Sequence, residues 1–173
     1  MVDDGSIMEG GWIMALNKTR THTLGESNDF ELYWEDYKNG FEVNSGHYLG
    51  NEYFHLLTEY EHQQLWAIYD HDFKRTEEFF PKVIVKAEAD NYKILLDGVT
   101  TSRHESFGGM VHGNPFSARL GPNERNPTCT SRKLGYWYLP SECRDYYRLF
   151  QPATKGSNRF RVKYAYILLR PKL

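Results

Sequence analysis

The sequence predicts an α+β fold, in which a twisted and mainly antiparallel sheet carries a few short helices on one side. Strand-like segments rich in β-branched and aromatic residues recur at uneven intervals between residues 10 and 170. Helical periodicity occurs in only two segments, both between residues 30 and 60. A chain of 173 residues with 40% hydrophobic content suits one domain that buries most of its apolar surface.

The first elements are a polar stub and a strand. Residues 1–9 are polar, and we expect them to be disordered. Residues 10–16, GGWIMAL, predict a buried strand, and the polar residues 17–29 predict a connection rich in turn-forming residues. Asn17 starts an Asn-Lys-Thr triplet, which predicts N-glycosylation if the chain is secreted.

Two short helices follow. Residues 30–41 have helical spacing of their large apolar side chains, with Gly40 as the stop signal. A turn at residues 45–46 leads to a second helix at roughly residues 51–60, with Asn51 as its N-cap. These helices lie early in a chain that otherwise consists of strands.

Four later segments have the content of strands: residues 60–72, 79–86, 91–97 and 160–170. Pro81 predicts that the second of these segments is an edge strand or contains a bulge. Residues 100–114 show no periodicity and predict a long irregular segment. The last segment alternates and then becomes apolar throughout, which predicts a central strand that closes the sheet.

Charge and hydropathy exclude two classes of partner. A formal net charge of −2 provides no positive field for nucleic acid or an anionic membrane surface. No apolar run approaches the roughly 20 residues that span a bilayer. The N-terminus also lacks the basic and apolar regions of an export signal.

Catalytic and transition-metal sites are not indicated either. The sequence contains no Gly-x-Ser-x-Gly elbow and no glycine-rich phosphate loop before a helix. The Ser, His and Glu within residues 102–105 are neighbours in the chain, which does not build a triad. In Asp70-His71-Asp72, strand alternation directs the histidine away from both carboxylates. We expect the chain not to be an enzyme.

Four motifs resemble those of a known family: GGW at residues 10–12, WEDYKNGF at 34–41, LGNEYFHLLT at 49–58 and EADNYKILLDG at 88–98. They are similar to the C-terminal globular domain of the fibrinogen family, which includes ficolins, angiopoietins and tenascins. The resemblance implies one globular domain over residues 10–173, with residues 115–173 as a shortened, loop-rich binding subdomain plus the closing strand. It also implies a secreted protein, so we interpret the chain as a fragment or as one with a misassigned start.

The resemblance bears on the two cysteines. Their separation alone leaves open whether Cys129 and Cys143 are unrelated thiols or a cross-link. The family has a disulfide at these positions, which implies that they are bonded. Such a bond would stabilise the fold by about 3 kcal/mol. The first cysteine position of the family is occupied here by Asp3 and Asp4.

The family also has a calcium site in the loop before the penultimate cysteine, built from aspartates and carbonyl oxygens. The matching residues 116–129 contain no aspartate. Asn123 and Glu124 offer at most a weak metal site, and Arg119 and Arg125 would oppose a dication. We expect calcium binding to be lost and no other cofactor to be present.

Lectin-like members hold acetyl groups or sialic acid between aromatic walls, a cis-peptide amide and a histidine. The matching ligand-binding positions are Tyr136, Trp137, Tyr138, Glu142 and Arg144. Because Arg144 replaces the histidine, the site would favour a carboxylate or sulfate over a neutral acetamide. The alternative is that Trp137 is a core residue and that Arg144 pairs at the surface with the aspartate that follows it.

The sequence therefore predicts an extracellular, non-catalytic recognition domain that binds a protein or an anionic glycan through residues 131–150. Tyr146, Tyr147 and Phe150 either extend this face or belong to the core. One alternative is a calcium-dependent lectin for acetylated sugars, of the kind that acts in innate immunity. Another is a degenerate structural domain without a ligand. We expect oligomerisation to use regions outside this chain.

Overall fold

A computed structural model of the chain describes residues 11–19, 29–71, 74–99, 106–122, 134–138 and 162–172. The stub predicted at residues 1–9 lies outside these ranges. The described strands are β1 (Ile13–Lys18), β2 (Phe41–Val43), β3 (Gly46–Tyr48), β4 (Gln63–His71), β5 (Lys74–Val85), β6 (Ile94–Leu96) and β7 (Val162–Pro171). The described helices are α1 (Trp34–Asn39), α2 (Asn51–Tyr60) and α3 (Phe107–Val111).

The strands form one antiparallel sheet in the order β2-β3-β1-β7-β4-β5-β6. This arrangement confirms the predicted α+β fold with a mainly antiparallel sheet. β7 lies at the centre of the sheet between β1 and β4, as predicted for the closing strand. In the described part of the chain, no helix is long and apolar enough to cross a membrane.

Side chains alternate between the two faces of the sheet. On the inner face, Leu65, Ala67 and Tyr69 of β4 are fully buried in the main core. On the outer face, Trp66 and Ile68 belong to a second, smaller cluster. Each helix contributes a buried aromatic residue to the main core: Trp34, Phe54 and Phe107. The three helices therefore pack on the inner face.

β5 carries a bulge beside Pro81. Gln63 pairs with Val83 and Leu65 pairs with Phe80, so β5 has one more residue than β4 between these two pairs. Pro81 lies in this longer stretch, where its missing N–H costs no regular ladder hydrogen bond. The predicted bulge is confirmed.

The first helix spans Trp34–Asn39, which is shorter than the predicted residues 30–41. It ends where predicted, because Gly40 adopts a φ of 84°. A Cβ atom at Gly40 would lie 2.4 Å from the carbonyl oxygen of Leu49, so the close contact with the chain before α2 also requires glycine.

The second helix has the predicted bounds but not the predicted cap. Gly50, with a φ of 103°, is the N-cap, and Asn51 is the first helical residue. The prediction of Asn51 as N-cap is therefore wrong. Its Oδ1 accepts a hydrogen bond from the hydroxyl of Tyr48 instead, which connects α2 to β3.

Two strand predictions need correction. A short hairpin, β2 and β3, surrounds the predicted turn at residues 45–46. The strand predicted at residues 91–97 is limited to Ile94–Leu96. Asn91 and Tyr92 have φ values of 52° and 49°, and this left-handed backbone cannot continue a strand.

Helix α3 lies inside the segment that was predicted to be irregular. The side chain of Ser106 caps it by accepting a hydrogen bond of 2.9 Å from the N–H of Gly109. The carboxylate of Glu78 on β5 accepts two more, from the N–H groups of Phe107 at 3.0 Å and Gly108 at 3.1 Å. Three otherwise unpaired N–H groups are thus satisfied, which allows a helix in a glycine-rich sequence.

Candidate functional site

The predicted binding region is represented by two described segments, residues 114–122 and 134–138. A single antiparallel bridge joins them: Ser117 and Tyr136 exchange two backbone hydrogen bonds of 3.0 Å each. The start of the loop expected to hold calcium therefore lies directly beside the aromatic segment expected to line the ligand pocket.

Trp137 is a core residue. Its side chain is 1% exposed, and its Nε1–H donates a hydrogen bond of 3.0 Å to the carbonyl oxygen of Tyr92. The ring centre lies 5.0 Å from that of Phe116 and 6.4 Å from that of Phe54. This placement agrees with the alternative interpretation of Trp137 as core, and its role as a ligand contact stays a prediction.

The two neighbouring tyrosines are also buried. Tyr136 and Tyr138 are 3% and 4% exposed, and their rings lie 5.9 Å apart. The hydroxyl of Tyr138 donates a hydrogen bond of 2.8 Å to the carbonyl oxygen of Leu134. Glu142 and Arg144 lie outside the described residues, so their roles as ligand contacts stay predictions.

Two glycines allow these segments to lie flat against helix α1. A Cβ atom at Gly135 would be 2.7 Å from the ring of Tyr37 and 2.9 Å from that of Phe116. A Cβ atom at Gly121 would be 2.5 Å from the indole of Trp34. An added Cβ atom at either position would have to displace one of these rings or the segment itself.

The turn at Asn91 and Tyr92 provides backbone acceptors for both segments. The carbonyl oxygen of Asn91 accepts a hydrogen bond of 2.8 Å from the N–H of Phe116, and that of Tyr92 accepts the indole of Trp137. Both residues of this turn have a left-handed backbone, with φ values of 52° and 49°. Sequence reasoning missed this function, because the segment has the composition of a strand.

Glu88 holds α1 against the same turn. Its carboxylate accepts hydrogen bonds of 2.8 Å from the Nε1–H of Trp34 and 2.7 Å from the Nζ of Lys38. These two bonds, that of Lys38 first, lower the pKa of Glu88. The Trp34 ring also stacks on Tyr92, with ring centres 5.7 Å apart.

Beyond the buried rings, one exposed structure stands out, which we call the anchor turn: Tyr33, Arg119 and Leu120. The Arg119 guanidinium lies 4.7 Å from the centre of the Tyr33 ring, and Tyr33 is 41% exposed. Leu120 is 82% exposed and has a φ of 58°, a left-handed conformation that is costly for leucine.

The anchor turn is fixed to the helix behind it. The N–H of Trp34 donates a hydrogen bond of 3.0 Å to the carbonyl oxygen of Arg119, and Gly121 closes the turn through a bond of 3.2 Å to Ala118. The turn thus presents Leu120 to solvent beside the partly buried Arg119, on a base that is hydrogen-bonded to α1.

The metal prediction falls mostly outside the described residues. Asn123, Glu124, Cys129 and Cys143 all lie there, so the weak metal site and the disulfide stay predictions. Among the described residues, no group of three or more His, Cys, Asp and Glu side chains is arranged to hold a metal ion. The Arg119 charge lies over an aromatic ring, at the start of the loop in question.

The predicted glycosylation site lies on a strand, not in a connection. Asn17 belongs to β1, between His47 of β3 and Tyr166 of β7. Its Oδ1 is buried without a hydrogen-bond partner. The prediction that residue 17 starts a connection is therefore wrong, and glycosylation of Asn17 stays a prediction.

A buried lysine ends β1. Lys18 is 1% exposed, and its Nζ donates a hydrogen bond of 2.9 Å to the Oγ of Ser45 and lies 3.8 Å from a carboxylate oxygen of Asp29. Burial lowers the pKa of Lys18 to about 8, against the opposing effect of Asp29. Asp29 also accepts hydrogen bonds from the backbone and side chain of Ser45, so the three residues connect β1 to the hairpin turn.

The sequence of the chain is similar to those of known proteins. A family model described as the C-terminal globular domain of fibrinogen beta and gamma chains matches residues 3–151. Pig (Sus scrofa) angiopoietin-2 is 26% identical over 173 residues, an alignment that covers 91% of this chain and 32% of that protein. Rat (Rattus norvegicus) angiopoietin-1 is 28% identical over 137 residues, covering 76% of this chain and 26% of that protein. The chain thus spans about a third of the length of angiopoietin-2.

Two solved structures share the fold. The fibrinogen-like globe domain of human ANGPTL2 matches with a TM-score of 0.73 at 20% identity, over 95% of this chain and 82% of that chain. A lamprey fibrin D-dimer, in complex with the peptide ligand Gly-His-Arg-Pro-amide, matches with a TM-score of 0.68 at 16% identity. That match covers 98% of this chain and 63% of that chain.

Proposed function

Because the chain belongs to the family of the C-terminal globular domain of fibrinogen beta and gamma chains, we propose that it is an extracellular recognition domain that binds a protein ligand. The family is non-catalytic, in agreement with the sequence analysis. The angiopoietins that it resembles are secreted proteins, which supports an extracellular location.

The observation that carries this proposal is the anchor turn. Tyrosine and arginine are enriched among the residues that dominate protein–protein binding energies. Leu120 is held in an unfavourable backbone conformation while it is 82% exposed, and strain of this kind is typical of functional positions. The turn is also rigid, because the α1 backbone and the ring of Trp34 support it. A rigid base lowers the entropy lost on binding.

The proposed ligand is a protein that presents a carboxylate beside an apolar pocket. Arg119 would meet the carboxylate, and Leu120 would enter the pocket. The face predicted from the sequence, residues 131–150, would extend this surface, with Arg144 as a second cationic contact. We assign recognition to residues 115–173 as a subdomain, with Trp137 and Tyr138 supporting the surface from below.

The test uses two matched substitutions. Leu120 and Tyr60 are exposed to nearly the same extent, 82% and 80%, but Tyr60 lies on α2. The purified chain is assayed by biolayer interferometry against a panel of purified receptor ectodomains. We expect saturable binding to at least one ectodomain, weakened about tenfold or more by Leu120→Asp and unchanged by Tyr60→Asp.

A third variant separates binding from stability. Leu120→Gly removes the side chain and relieves the backbone strain, so it should leave the free energy of unfolding within about 1 kcal/mol while it weakens binding. Equal losses of binding from Leu120→Asp and Tyr60→Asp, or no binding to any ectodomain, would overturn the proposal.

A further inference from the structure

The outer face of the sheet carries a continuous apolar surface, which we call the outer patch: Trp12, Met14, Trp66, Ile68, Phe79, Tyr164, Tyr166 and Leu168. Ile68 and Leu168 are 1% and 2% exposed, because the larger side chains around them cover them. Phe79, opposite Trp66 on β5, is half exposed. The centre of the outer patch is therefore buried, and its rim is exposed to solvent.

Charged residues of opposite sign lie at the two ends of the outer patch. At one end, Arg170 lies over the Trp12 ring, with its guanidinium 4.5 Å from the ring centre, and donates hydrogen bonds to Gln64. At the other end lie Asp70 and, on β5, Arg75 opposite Asp70 together with Glu77, whose carboxylate pairs with Arg75 and leaves Asp70 as the net negative charge. The two ends are six residues apart along β4, a distance of roughly 20 Å.

The acidic end is incompletely satisfied. One carboxylate oxygen of Asp70 is buried and has no hydrogen-bond partner. Glu77 pairs with Arg75 at 2.7 Å, and both side chains are more than 40% exposed. A buried carboxylate oxygen without a donor is unfavourable, so an incoming cation would be stabilised at this position.

In the part of the chain that the structure describes, no element covers the outer patch, because all three helices pack on the inner face. We propose that a second copy of this chain covers it, in a face-to-face dimer whose two-fold axis runs across the strands. Rotation about this axis reverses the strand direction, so each end of one outer patch faces the opposite end of the other. Arg170 of each copy then approaches Asp70 of the other, and the central apolar residues meet each other.

The charge pattern favours a second copy over an unrelated partner, because the patch is complementary to itself. An isologous interface requires that each contact occur twice, and the opposite charges at the two ends satisfy this requirement. Sheets that pack face to face lie about 10 Å apart with interdigitated side chains, which suits a layer of tryptophan, tyrosine and phenylalanine. This dimer uses the sheet and leaves the anchor turn accessible, so it is independent of the proposed protein ligand.

The first test is the mass of the full chain in solution. Light scattering after size exclusion should give twice the 20.4 kDa of the chain at submillimolar concentration. Phe79→Glu should weaken the dimer about tenfold or more, whereas Tyr60→Glu, at an exposed aromatic position on α2, should leave it unchanged. A monomeric wild-type chain, or equal effects of the two substitutions, would overturn the proposal.

A charge exchange tests the orientation of the two copies. Arg170→Glu and Asp70→Arg should each place like charges opposite each other and produce monomers. The double variant restores opposite charges and should restore the dimer. Thermal melting of each variant identifies a failure to fold, and Phe79→Glu does not depend on these two positions. A folded double variant that stays monomeric would overturn the proposed axis.

Discussion

The seven-stranded sheet and the two segments of the candidate site are held by different kinds of contact. In the sheet, every strand is paired along its backbone, and β7 is paired on both sides. The site segments, residues 114–122 and 134–138, have one bridge between them. They are otherwise attached by aromatic rings, by the indole of Trp137 and by single backbone hydrogen bonds to Trp34, Asn91 and Ile94.

This difference determines how each region responds to change. The backbone atoms of paired strands cannot move one at a time. A side-chain atom added against them must therefore displace a whole strand. An aromatic ring can rotate, so an added atom in the site segments displaces a side chain first. We therefore expect the sheet to be intolerant of substitution and the site segments to accept changes at a lower cost.

Gly46→Ala should have the largest effect. A Cβ atom at Gly46 would lie 1.6 Å from the carbonyl oxygen of Asn17 on the neighbouring strand, a backbone atom that cannot move alone. We expect a loss of about 3 kcal/mol in the free energy of unfolding, measured by urea denaturation.

The control is Gly113→Ala. Gly113 also has a positive φ, 78°, but a Cβ atom there meets nothing within 4 Å. Its cost should be limited to the left-handed conformation, about 1 kcal/mol. Equal losses in the two variants would show that the contact with β1 is unimportant.

Gly135→Ala should have an intermediate effect. Its Cβ atom would contact the rings of Tyr37 and Phe116, at 2.7 Å and 2.9 Å, which are side chains and not backbone. We expect a loss of about 1–2 kcal/mol, smaller than that of Gly46→Ala, in the same urea experiment. A loss as large as that of Gly46→Ala would remove the proposed distinction between the regions.

Lys18→Met tests the junction between the sheet and the hairpin turn. The pKa of Lys18 is about 8 in the folded chain and 10.5 ordinarily, so the unfolded chain binds more protons between these pH values. The stability of the wild-type chain relative to Lys18→Met should therefore increase as the pH rises through this window, by on the order of 1–3 kcal/mol. Urea denaturation of both chains at a pH below and a pH above this window measures the change in relative stability. A stability difference that does not vary with pH would contradict the lowered pKa of Lys18.

Calcium should have the smallest effect. Residues 116–129 contain no aspartate, and Arg119 brings a positive charge to the start of this loop. Because an ion that binds only the folded chain raises its stability, an unchanged melting temperature in millimolar calcium indicates no binding. A rise that EDTA reverses and magnesium does not reproduce would instead favour the calcium-dependent lectin.

The sequence predicts those helices and strands that are long enough to show a periodic pattern of hydrophobic residues. The end of α1 at Gly40, the bounds of α2 and the central position of β7 follow from helical spacing, glycine and an apolar run. The three-residue strands β2 and β3 are too short to show alternation. Helix α3 depends on Glu78, which lies on another element and leaves no local signal.

The candidate site is less predictable because its contacts join distant residues. The aromatic content of residues 136–138 suggests a binding surface, but burial of Trp137 depends on Tyr92, which is 45 residues away. The anchor turn has only a weak local signal, the Gly-Pro pair after Leu120. Leu120 has a left-handed backbone, and the next residue, Gly121, lies close to the indole of Trp34, which is 87 residues earlier in the chain.

The central position of β7 has a consequence for biosynthesis. β7 comes last in sequence among the described strands, yet it joins β2-β3-β1 to β4-β5-β6. Until it is synthesised, the two halves of the sheet each expose an unpaired edge, at β1 and at β4. Such edges recruit strands from other chains. The nascent domain is therefore most prone to aggregation in the interval before β7 is synthesised, and a chaperone that shields these edges would act in that interval.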